Sequence, residues 1–200
     1  MTPSQIISLA MTALLIFWAV GAYNRLVRLT NTIANAFGHI DVQLKRRYDL
    51  IPNLVQACKK YLSHERETMA AVISARNQAK AASDAVRSRP TSALAVTTLA
   101  AAEQTLTSSL GSLFAFNEAY PELKSDQTIR ELSEALSSTD NQVTFARQAF
   151  NDAVLDYNHA RGQFPAVLIA KLFSFAPSAI WQAAESADQH TDLRIRMSDR

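Results

Sequence analysis

From Ile6 to Ala22 the chain reads IISLAMTALLIFWAVGA, seventeen residues without a charge. A continuous apolar stretch of that length is the signature of a membrane-spanning helix. As a helix it rises about 26 Å, at about 1.5 Å per residue, which just crosses the hydrocarbon of a bilayer. Gln5 bounds it on one side and Tyr23, Asn24 and Arg25 on the other, and Trp18 and Tyr23 carry rings suited to the headgroup level. Ile6, Leu9, Leu14, Leu15, Ile16, Phe17, Trp18 and Val20 are the expected anchor residues. Val20 and Ala22 would also suit a signal peptidase, but no Lys or Arg precedes the run as in a secretory leader, so a permanent tether is expected. No cysteine stands near its end to accept a lipoprotein acyl chain. Arg25 and Arg28 come immediately after it, with Lys45, Arg46 and Arg47 beyond. By the positive-inside rule the short N terminus faces out and the bulk of the chain lies in the cytoplasm.

The chain beyond the anchor must be built almost wholly of helices. Only four Gly and six Pro occur among 200 residues, and the abundant Ala, Leu, Gln, Lys and Arg all favour helix. The length allows one soluble domain with a sizeable core, not two. A single cysteine, Cys58, excludes an intrachain disulfide and a cysteine-paired metal site and reads as a small buried apolar side chain. Residues 25 to 66 hold eight Lys or Arg against three Asp or Glu, and residues 67 to 200 twelve against fifteen. The basic excess therefore lies beside the anchor, where it suits an anionic membrane surface. No interleaving of basic and aromatic residues points to nucleic acid.

Proline positions punctuate the rest, because proline lacks the backbone donor a helix interior needs: Pro52, Pro90, Pro121, Pro165 and Pro177 are the expected starts or breaks. Before Pro52, the steps Leu26, Leu29, Ile33, Phe37, Ile40 and Leu44 predict a first bundle helix continuous with the anchor. Between Pro52 and Arg89 a second stripe runs through Leu54, Val55, Cys58, Tyr61 or Leu62, Met69, Val72, Ile73 and Ala79. Thr91 or Ser92 is placed to cap a third helix carrying Leu94, Leu99, Leu106, Leu110, Leu113 and Phe116. Ser125 or Asp126 is placed to open a fourth, about 35 residues long, with Ile129, Leu132, Leu136, Val143, Ala146, Phe150, Val154 and Tyr157 inward.

The predicted fold class is therefore all-α: residues 1–22 as exterior N terminus and transmembrane anchor, 23–188 as an elongated antiparallel bundle of about four long helices, and 189–200 as a polar tail. Such stripes joined by short connections pack side by side at shallow angles. The segment FPAVLIAKLFSFAPSAIW, residues 164–181, is strongly apolar but broken by two prolines and Lys171, so it is not a second span. Its Phe164, Leu168, Leu172, Phe173, Phe175 and Trp181 are expected either to close the end of the bundle or to meet lipid or another subunit. In the tail, Leu193, Ile195 and Met197 alternate with Arg194 and Arg196, which leaves open a strand that docks on a partner.

Nothing in the chain has the pattern of a catalytic centre. His39, His64, His159 and His190 stand far apart, and His64-Glu65 opens like a zinc-protease helix but meets Thr68 where the second ligand belongs. The four glycines are isolated, so no loop cradles phosphate. No catalytic residue, metal, cofactor or small-molecule substrate is expected. Polar groups do recur on packing faces, in LKRRYDLIPNLV (residues 44–55) and STDNQVTFARQAFNDAVLDYN (residues 138–158). Arg147, Asn151 and Asn158 share one helix face, with Asp140 a further step along and Asn141 beside it. Arg46 or Arg47, Asp49 and Asn53 are the candidate partners across the bundle, either as a network that fixes helix register or as an interaction site.

These same stretches, together with YNRLVRLTNTIANAFGHIDVQLKRRYDLIPNLVQACKKYLSHE at 23–65 and the later ELSEALSSTDNQVTFARQAFNDAVLDYNHARGQFP, resemble the LemA family of bacterial membrane proteins. The resemblance covers residues 23 to about 175. It departs from the family pattern at Phe150, usually Tyr, and at Asp140, often Glu. It implies a short exterior N terminus, one transmembrane helix and a cytoplasmic helical domain in the bacterial inner membrane, with no catalytic residue to carry over. The function expected is a non-catalytic scaffold or adaptor that self-associates or recruits a membrane partner. A lipid-interacting or membrane-remodelling module and a regulatory adaptor of a membrane protease remain the alternatives.

Overall fold

A computed structural model of the chain describes residues 3–62 and 64–182. The polar tail from 189 onward, with its expected docking strand and the boundary at 188, lies outside the described residues. Those described form helices and no strand: α1 (Pro3–Cys58), α2 (Arg66–Ser88), α3 (Ala93–Ala119), α4 (Pro121–Ser125), α5 (Gln127–Gly162) and α6 (Ala166–Leu172).

The apolar run and the first bundle helix are one rod. At about 1.5 Å per residue, the 56 residues of α1 extend about 84 Å. No part of its most apolar window is buried within the protein, whereas from Leu26 onward the expected stripe turns into the core: Leu26, Ile33, Phe37, Ile40 and Leu44, continued by Tyr48, Ile51, Leu54 and Cys58. α5 runs antiparallel along α1, so that Phe37 meets Phe150 edge to face at 6.1 Å. α2 and α3 form a hairpin against the far half of that pair, with α2 packed on both α1 and α3.

Two expected boundaries move. Pro52 does not begin a helix but lies inside α1, and the stripe expected to be one helix from Pro52 to Arg89 is cut by a turn at residues 59–65. The reason is tertiary. A proline in a helix leaves the carbonyl four residues earlier without its donor, here that of Tyr48, and Arg76 of α2 supplies the donor through Nε at 2.9 Å. The turn itself, KKYLSHE, contains neither Gly nor Pro to announce it. Tyr61 within it donates to Asp126 at 2.8 Å, tying it to the start of α5.

Arg76→Ala is accordingly expected to destabilise the fold by about 1–2 kcal/mol through the orphaned carbonyl, and Pro52→Ala, which returns an N–H to that site, to recover most of the loss. Denaturant midpoints of the two single variants and the double variant measure this coupling. Strictly additive effects would show that Arg76 does not act through the Tyr48 carbonyl.

Other local signals stand where expected. Ser92 caps α3 by accepting from the Ala95 amide at 3.3 Å. Asp126 caps α5 through the Thr128 and Ile129 amides at 2.9 and 3.2 Å. Leu94, expected in the third stripe, instead faces outward, 78% exposed, because α3 turns the side that carries Ala95, Val96 and Leu99 into the core and Leu94 lies off that side. Cys58 is buried as expected, and burial, with the charge of Asp126, pushes its thiol up to about 11.

Candidate functional site

The polar groups of the bundle interior fall into three clusters. In the first, α1 presents Arg47 and Tyr48 on an inward face, and both meet Glu103 of α3. Arg47 Nη1 donates to Oε2 at 2.8 Å, the Tyr48 hydroxyl donates to Oε1, and Arg47 Nη2 donates to Thr107 at 3.1 Å. Arg47 Nη1 also stands 3.3 Å from Asp140 of α5, so one guanidinium joins three helices. Arg47 and Glu103 are buried. Burial raises the Glu103 carboxyl above its usual range against the opposing charge of Arg47, and burial followed by the Glu103 charge raises the Tyr48 phenol.

The second cluster ties α1 to α2. Arg87 holds Asp41 with two hydrogen bonds, at 2.6 and 3.0 Å, Ser83 adds a third at 3.2 Å, and Lys45 lies at 2.9 Å. Burial pushes the Asp41 carboxyl up, but the hydrogen bonds and charges of Arg87 and Lys45 outweigh it, and the net shift is downward.

The third cluster is a pair of clamps on α5. Asn151 donates to the Trp181 carbonyl at 3.0 Å and accepts from the Trp181 amide at 2.7 Å. Asn158 does the same with Ser178, at 2.8 and 3.1 Å. Seven helical residues rise about 10.5 Å and three extended ones about 10 Å. Asparagines seven apart on α5 therefore match backbone groups three apart on an antiparallel extended strap. Tyr157 and Arg161 add bonds to the carbonyls of Ala176 and Phe175, at 2.7 and 2.6 Å. The strap covers the part of α1 and α5 that the α2–α3 hairpin leaves bare, and Trp181 enters the core.

Of the expected polar partners, Arg47 and Asp140 come together. Arg46, Asp49 and Asn53 do not join them: all three are exposed, and Asp49 only approaches Arg76, at 4.0 Å. Asn151 and Asn158 bind the chain's own C-terminal strap and not α1. Arg147 is half-buried without a hydrogen bond to any described residue, and Asn141 lies in an open cleft. Sequence reasoning missed Glu103, although a signal was present: it is the only charged residue between Arg89 and Glu118, and a lone carboxylate in an apolar helix needs a buried partner.

Among the open surfaces of the described residues, two carry large exposed apolar side chains side by side. A cleft of about 1000 Å³ runs between α1 and α5, edged by His39, Val42, Asn141 and Phe145, of which Val42 is 60% and Phe145 78% exposed. The other is the end of the bundle next to the apolar run, where Ile169 and Ala170 of α6 pack on Leu26, Ala160, Ala19 and Ala22. Phe175 and Trp181 of the expected contact segment turn inward, while Phe164, Leu168, Leu172 and Phe173 stay exposed. Among the described residues no group of three or more His, Cys, Asp or Glu is placed to hold a metal.

The LemA family model matches residues 36–195, a span that takes in all three polar clusters and begins beyond the apolar run. No curated protein matches the chain.

Proposed function

Because the chain belongs to the LemA family, we propose that it is a membrane-anchored, non-catalytic helical scaffold or adaptor of the bacterial inner membrane, which self-associates or recruits a membrane partner. Family membership is consistent with a membrane-associated, non-enzymatic protein. The observation that carries the reading is the continuity of α1, which passes from an apolar run with no buried residue, long and apolar enough to cross a membrane, into the core without a hinge. The orientation of the bundle is thereby coupled to the bilayer. The chain's best-formed polar clusters are taken up by internal hydrogen bonds and lock register. That leaves the faces of the rod to meet partners, with the cytoplasmic side assigned by Arg25 and Arg28.

A second copy is the occupant proposed for the α1–α5 cleft. Parallel rods anchored in one membrane bring the same level of each into apposition, and Val42 and Phe145 place apolar surface there. Chemical cross-linking in native membranes and mass measurement after mild detergent extraction test this. A defined oligomer, or a stoichiometric membrane partner, is expected, and Phe145→Asp is expected to abolish the self-contact without unfolding an exposed site. A monomer without a co-purifying protein in both measurements would remove the scaffold reading.

A further inference from the structure

The membrane-proximal end of the bundle is built unlike the rest of its surface. Beyond Tyr23, the large exposed apolar side chains among the described residues are the pair Val42 and Phe145 at the α1–α5 cleft, Leu94, Leu155, and a denser group, Phe164, Leu168, Leu172 and Phe173, which crowd into ten residues and are 82, 57, 74 and 54% exposed. Their position along the rod is set by the opposite face of α6. Ile169 and Ala170 pack with Leu26 and Ala160 against Ala19 and Ala22, and the Phe173 ring lies 4.8 Å from that of Tyr23. Ala19 and Ala22 belong to the apolar run itself. Whatever packs on them sits at the depth where that run leaves the bilayer.

The chain is also turned sharply to keep this segment there. Ser174 adopts a left-handed φ of 57°, and the Ser174 and Phe175 amides bond back to the carbonyls of Lys171 and Ala170 at 3.3 and 2.9 Å. This is a Schellman closure, in which the residue after the cap takes the left-handed conformation. It ends α6 within two turns and sends the chain back up α5 as the strap.

Charge agrees with this placement. Residues 3–40 and 157–182 carry Arg25, Arg28, Arg161 and Lys171 and not one Asp or Glu. Lys171, within α6, is long enough to keep its ammonium among headgroups while Leu168 and Leu172 lie lower.

The geometry points to a second membrane contact: α6 and its flanks, Phe164 to Phe173, lie in the headgroup region of the same bilayer, with anionic phospholipid as the partner of the basic end. The inference deepens the anchored-scaffold reading and rests on its anchor. A span alone leaves a helix free to rotate about its axis. A short apolar segment set to one side of it fixes which face of the bundle looks along the membrane. Apolar area and basic charge together are the ordinary means by which an interfacial segment is held.

The test uses the full chain in phosphatidylcholine vesicles with and without phosphatidylglycerol, carrying an environment-sensitive fluorophore on an introduced cysteine and a quencher on the lipid chains. Leu168→Cys and Leu172→Cys replace exposed side chains, so the core is untouched, and the buried Cys58 is left in place with an unsubstituted control. Leu14→Cys reports the anchor and Leu94→Cys a remote exposed apolar site. Quenching at 168 and 172 is expected to be several-fold above that at 94 and to increase with phosphatidylglycerol. Quenching at 14 with none at 168 and 172 would overturn the second contact and leave the anchor standing. Absence of quenching at 14 as well would overturn both. A disulfide between copies at position 168, in place of lipid quenching, would show that protein covers this surface and would likewise overturn the inference. Equal quenching in the two vesicle types would overturn the preference for anionic lipid.

Discussion

Arg47→Ala is expected to lower the stability of the bundle by about 3–5 kcal/mol, the cost of leaving a buried carboxylate without its counter-charge. The loss falls on Glu103, which keeps the Tyr48 hydroxyl but loses the guanidinium at 2.8 Å. Both partners are almost fully shielded, with side-chain exposures of 6 and 8%, so little of the interaction is screened by solvent. Asp140→Asn removes the third member, but its side chain is 55% exposed, and a surface ion pair contributes only about 0–1 kcal/mol. The contrast identifies the source of the effect. Equilibrium unfolding of the full chain in mild detergent measures it. A loss of under about 1 kcal/mol from Arg47→Ala would mean that Glu103 is neutral or hydrated in the native bundle. Arg47→Met combined with Glu103→Leu is expected to recover most of the loss, because an apolar replacement of both partners leaves neither charge buried.

The second large effect belongs to the strap. Asn151→Ala with Asn158→Ala removes four hydrogen bonds to the backbone of Ser178 and Trp181. At about 1 kcal/mol net for each bond, the two substitutions together are expected to cost about 4 kcal/mol if the strap holds its place, and less if it detaches. Detachment has its own signature. Trp181 is 4% exposed, so in a Trp18→Phe background its emission should shift to longer wavelength when the strap lifts. Asn151→Asp is the sharper single change, since it keeps the acceptor for the Trp181 amide but sets a carboxylate against the Trp181 carbonyl. Unaltered Trp181 emission in the double variant would show that apolar packing of Trp181, and not the clamps, holds the segment.

Much of this arrangement is legible in the residues themselves. The uncharged run, its basic flank, the continuity of the first helix and the capping roles of Ser92 and Asp126 are all read from signals contained within a few turns of chain. So are the stripes of α1 and α5, because a helix that buries one face must repeat its apolar residues every three or four positions, whatever it packs against. The exposed Leu94 shows the limit of that reasoning. It stands five positions before Leu99, on the side of α3 away from Val96, Leu99 and Leu106, and which side of an apolar helix is buried depends on where its neighbours lie.

The polar residues separate the two kinds of knowledge more sharply. That Arg47, Asn151 and Asn158 need partners is clear from their chemistry and their position on packing faces. Which partners they take is not, since Glu103 lies 56 residues from Arg47 and Trp181 lies 30 from Asn151. The tolerance of α1 for Pro52 likewise depends on Arg76 arriving from another helix. By itself the sequence determined a chain of long amphipathic helices led by one long and apolar enough to cross a membrane, because helix formation and apolar burial are written in local periodicity. The tertiary structure alone decided how each inward polar group is satisfied and which apolar side chains stay exposed, because both depend on groups that only the packed bundle brings together.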